Sequence, residues 1–317
     1  MFEFKRYCDI DNIGEGILAK IDYAIPSTME WVAHEKIHGA NFSIWIGKDE
    51  IRFASRQQWV DGTFYNCGPV MEALMPGFQS IQDSLKRTYS EPVAFIIYGE
   101  LFGDKIQKGV VYPQGRHFRA FDIKIDGTYV NDSIFNYICE ENCIPTVPRI
   151  KIGSLRELLE LPLEFPTYLN PVEGNFAEGL VIKPIITTYF NNGSRVILKR
   201  KCARFSEKTS VKRAITAAAN VSFHGTELLA ELETYFTANR LDNVISKIGE
   251  IVDCEEASIE DFTKLTGLLI QDCLHEYERE HEICDLKAQF KDDWKALQPK
   301  LHRYAVPVVR QYFGIMS

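Results

Sequence analysis

Apolar and aromatic positions alternate with polar ones in short runs through the first two thirds of the chain. Residues 29–33, 42–46, 51–54, 94–98, 118–123, 179–182 and 195–199 each read as a β-strand, with alternate side chains on opposite faces. Two stretches at helical spacing, 133–141 and 154–161, interrupt them. Strands and helices mixed without a regular strand-helix-strand alternation make an α+β pattern. After about residue 221 the period changes. Residues 227–237, 242–251, 259–280, 285–297 and 300–313 carry apolar positions three and four apart, and strand signals fade. A small all-α domain therefore follows the α+β one. The best linker is 209–225, which ends in Ser222-Phe223-His224-Gly225, and it sets the domains at 1–217 and 226–317.

Composition leaves this picture in place and narrows the class. A chain of 317 residues suits two domains, and nowhere do about 18 apolar residues run together as a membrane span requires. The start, Met1-Phe2-Glu3-Phe4-Lys5-Arg6, lacks the apolar run of a secretion signal. Eight cysteines contain no Cys-x-x-Cys pair, which argues for free thiols in a reducing, cytoplasmic setting. Cys139 and Cys143 share a helix face, yet without a second pair they read as buried small side chains.

Charge divides the chain more sharply than its total of -8 suggests. Residues 221–317 hold 10 Lys+Arg against 18 Asp+Glu, while residues 1–220 are balanced at 26 and 26. Within the balanced part, Lys183, Arg195, Lys199, Arg200, Lys201, Arg204, Lys208, Lys212 and Arg213 face one acidic residue, Glu207. This is a local basic patch suited to phosphates, or else a solvated face. The alternation of Val196 and Leu198 with Lys199 and Lys201 favours a strand aiming two lysines to one side.

The chemistry starts at Glu35-Lys36-Ile37-His38-Gly39-Ala40-Asn41-Phe42. A lysine with a pKa of about 10.4 attacks nothing at neutral pH until burial or neighbouring cations lower it. Gly39 lets the backbone turn closely between two strand-like runs, and this turn would hold Lys36 at a pocket mouth. A plain hairpin with an exposed lysine is the alternative for the octapeptide alone. Downstream, Arg56 follows a strand, Ile97-Tyr98-Gly99-Glu100 ends one in a carboxylate, and Phe121-Asp122 joins an aromatic to an acid. Glu178-Gly179-Leu180-Val181-Ile182-Lys183 brackets a strand with opposite charges, and Lys199-Arg200-Lys201 supplies cations. Each cluster alone is a weak signal.

In this order they resemble the covalent nucleotidyltransferases, the superfamily of ATP-dependent polynucleotide ligases and mRNA capping enzymes. DNA ligases and capping enzymes typically carry Lys-x-Asp-Gly-x-Arg, whereas Lys36-Ile37-His38-Gly39-Ala40-Asn41 is similar to the RNA ligase 2 family, which includes phage nick-sealing ligases and trypanosome RNA-editing ligases. The stretch 239–250 resembles the C-terminal domain of the phage-type members, a domain the editing ligases lack in the same chain.

The resemblance implies an ATP-grasp-like nucleotidyltransferase domain of antiparallel sheets with flanking helices, followed by the helical domain. It implies an ATP-dependent RNA ligase joining 3′-OH and 5′-phosphate ends, at nicks in duplex RNA or RNA/DNA hybrids, as a monomer. Lys36 would take AMP. Lys199 and Lys201 would bind the α-phosphate and help depress the Lys36 pKa, while Glu178 would hold Mg2+ or Mn2+. The family pattern assigns Arg56 and Glu100 to the ribose, Phe121 to adenine stacking, Glu35 to the neighbourhood of adenine and Lys183 to the nucleotide pocket. His38, Asn41 and Asp122 would support the transfer steps. Phe64, Tyr65, Arg240 and Asp272 would engage RNA, and Ala40 replaces a threonine common in close relatives, removing a hydroxyl. A DNA ligase or guanylyltransferase, or a catalytically silent RNA-binding scaffold, are the competing readings.

Overall fold

A computed structural model describes residues 2–207, 221–248 and 259–314. Lys208, Lys212 and Arg213 of the basic patch, most of the expected linker, Cys254 and the Gly249-Glu250 end of the C-terminal stretch lie outside the described residues. The chain forms two units, Met1–Arg204 and Phe205–Ser317.

In chain order the first unit contains β1 (Asp11–Asn12), α1 (Glu15–Ala24), β2 (Trp31–Lys36), β3 (Ala40–Ile46), β4 (Ile51–Ser55), β5 (Trp59–Val60) and α2 (Gly68–Thr88). It continues with β6 (Phe95–Gly103), β7 (Arg116–Ile125), β8 (Thr128–Tyr129), α3 (Asp132–Glu141), β9 (Arg149–Gly153), α4 (Leu155–Leu159), β10 (Gly179–Pro184) and β11 (Leu198–Lys201). Two sheets result, one ordered β1-β11-β10-β2-β9 and the other β5-β4-β3-β6-β7-β8. Every pairing is antiparallel except β1 with β11.

Apolar residues on both faces of the strands build three cores. Ile21, Trp31, Leu158, Leu180 and Leu198 pack the first sheet against α1 and α4. Phe42, Ile44, Met71, Phe78, Ile97 and Phe135 pack the second against α2 and α3. Tyr7, Trp45, Tyr98, Tyr129 and Ile197, with partly buried Phe121 and Val181, fill a third cluster that draws on both sheets.

Three departures from the sequence reading matter for the site. Lys36 and Ala40 do not flank a hairpin, because β2 and β3 belong to different sheets and the chain crosses between them at residues 37–39. Gly39 is required there by close approach: a Cβ would fall 2.3 Å from the Leu101 carbonyl oxygen. Residues 68–88, given no element by the strand and helix runs, form a 21-residue helix. Pro76-Gly77 reads as a break, but Gly77 lets α2 lie against the Asn142 carbonyl, 2.3 Å from where a Cβ would stand. Part of the basic patch is also turned inward, since Lys183 and Arg195 are buried in ion pairs and Arg200 donates to the Leu159 carbonyl at 2.7 Å.

The second unit is helical: α5 (Phe223–Glu233), α6 (Ala238–Ile248), α7 (Ile259–Glu280), α8 (Leu286–Gln289) and α9 (Trp294–Tyr312). Leu229, Leu232, Leu241, Leu269, Leu301 and Val309 lie in its core. The last two expected helices differ from the structure, because α9 runs through the expected gap near residue 298 and carries Pro299 and Pro307 inside it. Among the described residues no helix is long and apolar enough to cross a membrane.

Candidate active site

Three neighbouring strand ends converge on one carboxylate. In the first sheet Gly179 of β10 stands opposite Lys36 of β2 on one side and Lys201 of β11 on the other. Glu178, one residue earlier, reaches both. Its Oε2 accepts from Lys36 Nζ at 2.8 Å and its Oε1 from Lys201 Nζ at 2.7 Å, while His38 Nδ1 lies 3.2 Å from Oε2. Only glycine fits at 179, where φ is +151° and a Cβ would fall 2.0 Å from the Arg200 carbonyl oxygen. Burial alone would push the Glu178 carboxyl up. Lys201 first, and then Lys36, hold it well below the usual carboxylate range. Lys199 is half-buried opposite Val181, and residues two apart on a strand share a face, so it follows Lys201 along one side of β11.

The other sheet supplies a second acid. The crossing after β2 lets the Gly39 N–H donate to Glu100 Oε1 at 3.1 Å and the His38 N–H donate to the Tyr112 hydroxyl at 2.8 Å. Asn41 pairs in register with Glu100. Ala40 is buried. Burial pushes the Glu100 carboxyl up to about 7, and the Lys36 ammonium is the largest influence against this. A raised carboxyl pKa means that folding favours the protonated form. Its contribution to stability is thus full below the ordinary value of 4.5 and lost as pH rises through about 7. Glu100→Gln, neutral at every pH, should therefore gain on wild type by on the order of 3 kcal/mol between pH 4.5 and 8, read from denaturant midpoints across that range.

Asp122 belongs to a separate buried cluster. Arg195 grips both its oxygens, with Nη2 to Oδ1 at 3.1 Å and Nη1 on Oδ2. Lys183 Nζ donates to Oδ1 at 3.2 Å and the Tyr7 hydroxyl to Oδ2 at 2.7 Å. Burial raises the Asp122 carboxyl, but Arg195 and Lys183 outweigh it and leave it at about 2. Lys183 also donates to the Phe121 carbonyl at 2.8 Å. Phe121 is the extra residue of a β-bulge, since Tyr98 pairs with Asp122 and Gly99 with Ala120. The bulge turns the Phe121 ring to a half-buried position 5.0 Å from the Tyr7 ring. Lys183 thus holds the backbone that aims Phe121, rather than presenting an open ammonium to a nucleotide, and Asp122 is tied up in the same cluster.

Other expected residues are placed less uniformly. Glu35 is buried, with Thr167 Oγ1 and the Tyr168 N–H (2.9 Å) donating to its carboxylate, and burial raises its pKa. Arg56 Nη2 pairs at 2.6 Å with Oδ1 of Asp9, a residue that lies in none of the motifs. Phe64 and Tyr65 do not offer ring faces to a strand of RNA. Both are buried in the α2 core, the Phe64 ring tilted by 34° against Phe42 at 5.9 Å. In the second unit Arg240 and Asp272 meet each other at 2.9 Å, and Arg240, 2% exposed, also lies 3.6 Å from Glu207. Its guanidinium is a buried link between helices rather than an open phosphate contact. Tyr7, Tyr112 and Thr167 escaped the sequence reading, because each sits in an unremarkable local pattern far in sequence from its partner, and Arg195 was read only as one cation of the basic patch.

A buried carboxylate flanked by two lysines at the ends of adjacent strands concentrates charge at one end of the first sheet. Comparison with known proteins places the chain in a family. Residues 29–201 match the RNA ligase family, and residues 219–306 match the family described as T4 RNA ligase 2 C-terminal. The chain belongs to the RNA ligase family and is an enzyme of that class. RNA-editing ligase 2, mitochondrial, of Trypanosoma brucei brucei is 26% identical over 354 residues, covering 88% of this chain and 84% of that protein. RNA-editing ligase 1 of the same organism is 26% identical over 328 residues, covering 78% and 70%. The 88% coverage exceeds what the first unit alone provides, so the alignment continues into the helical unit, where the resemblance implied no counterpart in the editing ligases. A Naegleria gruberi RNA ligase solved with PPi is 16% identical, with a TM-score of 0.48. That match covers 64% of this chain and 57% of the solved one, little more than half of its length.

Proposed function

We propose that this chain is an ATP-dependent RNA ligase that joins 3′-OH and 5′-phosphate ends, at nicks in duplex RNA or RNA/DNA hybrids, with Lys36 as the nucleophile. The observation that carries the reading is the Lys36–Glu178–Lys201 arrangement, 2.8 and 2.7 Å across, in a chain of the RNA ligase family. In the first step a Nζ–P bond forms at the α-phosphorus, the bond to pyrophosphate breaks, and the amine releases its proton to solvent. An RNA 5′-phosphate oxygen then displaces Lys36 from phosphorus, and finally the 3′-hydroxyl displaces AMP as the strands join. Lys199 and Lys201 offset charge on the phosphate oxygens, and His38 and Asn41 border the transfer point. Phe121 and Glu35 suit the base, and Arg56 and Glu100 the ribose.

Among the described residues no group of three or more His, Cys, Asp or Glu side chains is arranged to hold a metal by itself. This fits an ion shared between one carboxylate and substrate phosphates, and Glu178 would hold it there. Bound Mg2+ or Mn2+ supplies charge neutralisation on the departing phosphate.

The test is to offer α-labelled ATP and GTP separately with magnesium, then chase the labelled protein with nicked RNA, nicked DNA and single-stranded RNA. Label from ATP that moves to nicked RNA supports the proposal. Label taken from GTP alone makes the chain a guanylyltransferase, and transfer to nicked DNA alone makes it a DNA ligase.

A further inference from the structure

The first unit carries an open groove of about 690 Å³ between the N-terminal half of α2 and β7, large enough for one or two nucleotides. Arg116, His117 and Arg119 line it, against a single acid, Asp104. Each guanidinium is anchored through one nitrogen to a backbone carbonyl, Arg116 Nε to Tyr65 at 2.7 Å and Arg119 Nη1 to Thr146 at 3.3 Å. Among the described residues, neither arginine forms an ion pair with a carboxylate. On the side of β7 away from β6, β8 pairs only with Lys124 and Ile125 and residues 145–147 bridge only to Ala120, so among the described residues no strand covers the edge from Arg116 to Arg119. Two oriented guanidinium groups with no carboxylate of the described residues within ion-pair distance, of which Arg119 is near enough to Glu35 to favour its charged form, suit phosphate oxygens.

The groove also adjoins the nucleophile. The His117 ring lies 5.5 Å from Phe102, whose ring lies 4.7 Å from Tyr112, and the Tyr112 hydroxyl accepts the His38 N–H. One aromatic wall therefore separates the groove from the crossing that follows Lys36. We infer that this groove is a track for the phosphates of the RNA strand whose end is presented to the Lys36 site. The inference rests on the ligase reading for its choice of occupant. An acidic peptide pairing with the open edge is the rival, but the arginines converge with the wall of a site that handles phosphates.

Ala73 is exposed on α2 and lines the groove, so its charge can be changed without disturbing the core or any proposed catalytic group. The full chain with Ala73→Glu should bind a nicked RNA duplex roughly tenfold more weakly, and Ala73→Lys at least as tightly as wild type, in gel-shift titrations. Label transfer from ATP to the protein should be unchanged in both. Arg116→Gln, which keeps a donor for the Tyr65 carbonyl, should lower the slope of log affinity against log salt by about 0.9, the share of one phosphate. RNA binding within twofold of wild type in both Ala73 variants would overturn the inference. So would unchanged RNA binding alongside altered binding of a polyglutamate peptide, which would give the groove to a protein. A wild-type chain that takes no label from ATP would instead count against the ligase reading, and the RNA titrations would still decide the groove.

Discussion

Lys36→Ala should abolish label transfer from ATP to the protein, a loss of more than ~10³-fold, while sealing of RNA already carrying a 5′-adenylate persists at reduced rate. The split follows from the proposed chemistry. Only the first two displacements form or break a bond to Lys36, whereas the third joins a hydroxyl to an adenylated end without it. Loss of the ammonium also leaves Glu178 with Lys201 and His38 as partners, so a second substitution is needed to separate charge from nucleophilicity. Lys36→Arg keeps a cation beside Glu178 but offers a group that does not deprotonate. It should be as inactive in label transfer as Lys36→Ala, with a thermal midpoint closer to wild type. Label transfer by Lys36→Arg near the wild-type rate would mean that Lys36 is an electrostatic partner only and that the covalent group lies elsewhere.

The resting geometry also bears on how Lys36, the proposed nucleophile, would be released. The sequence suggests that Lys199 and Lys201 act on Lys36 as like charges, but the structure sets Glu178 between Lys36 and Lys201. In this arrangement Lys36 is an ammonium bound to a carboxylate. Anything that draws Glu178 away, such as a cation shared with substrate phosphates, would leave Lys36 facing the lysines alone.

What the sequence disclosed follows from the range of the interactions involved. Strand runs such as 42–46 and 179–182 were legible because side-chain alternation is a local property, and the structure extends them by a few residues at their ends. The Glu178-Gly179 pair was also legible, although the reason for its glycine, a carbonyl 2.0 Å from a Cβ, required the neighbouring strand. The failures are non-local. Phe64 and Tyr65 look like an exposed aromatic pair until α2 is placed over them, and α2 itself is masked by Pro76-Gly77. Arg195 was one cation in a basic run, because its partner Asp122 lies 73 residues away in the other sheet. Charge density along a chain does not reveal which charges are buried against each other.

Arg195→Met should be the most damaging change to the stability of the first unit, at about 3–5 kcal/mol, even though Arg195 touches none of the groups around Glu178. The guanidinium and the Asp122 carboxylate are 4% and 1% exposed, and Asp122 comes from one sheet while Lys183 and Arg195 come from β10 and the approach to β11 in the other. Removing Arg195 leaves a buried carboxylate with only Lys183 and Tyr7, and the desolvation cost is no longer offset. The thermal midpoint of the unit should fall by roughly 10 °C. Acid sensitivity supplies an independent check. With Asp122 held at about 2, its contribution is present above the ordinary value of 3.8 and lost only as pH falls through about 2. Without Arg195 that loss should begin at higher pH, moving acid unfolding upward. Replacing both partners, as Asp122→Leu with Arg195→Met, should recover only part of the stability, because the Arg195–Asp122 pair is gone but buried Lys183 loses its carboxylate and keeps only the Phe121 carbonyl as acceptor among the described residues. The Phe121 carbonyl would still be held by Lys183, so a double variant that folds but takes AMP slowly would place the effect in Asp122 or Arg195 themselves rather than in the aim of Phe121. A single variant as stable as wild type would show instead that the two sheets hold together by apolar packing alone.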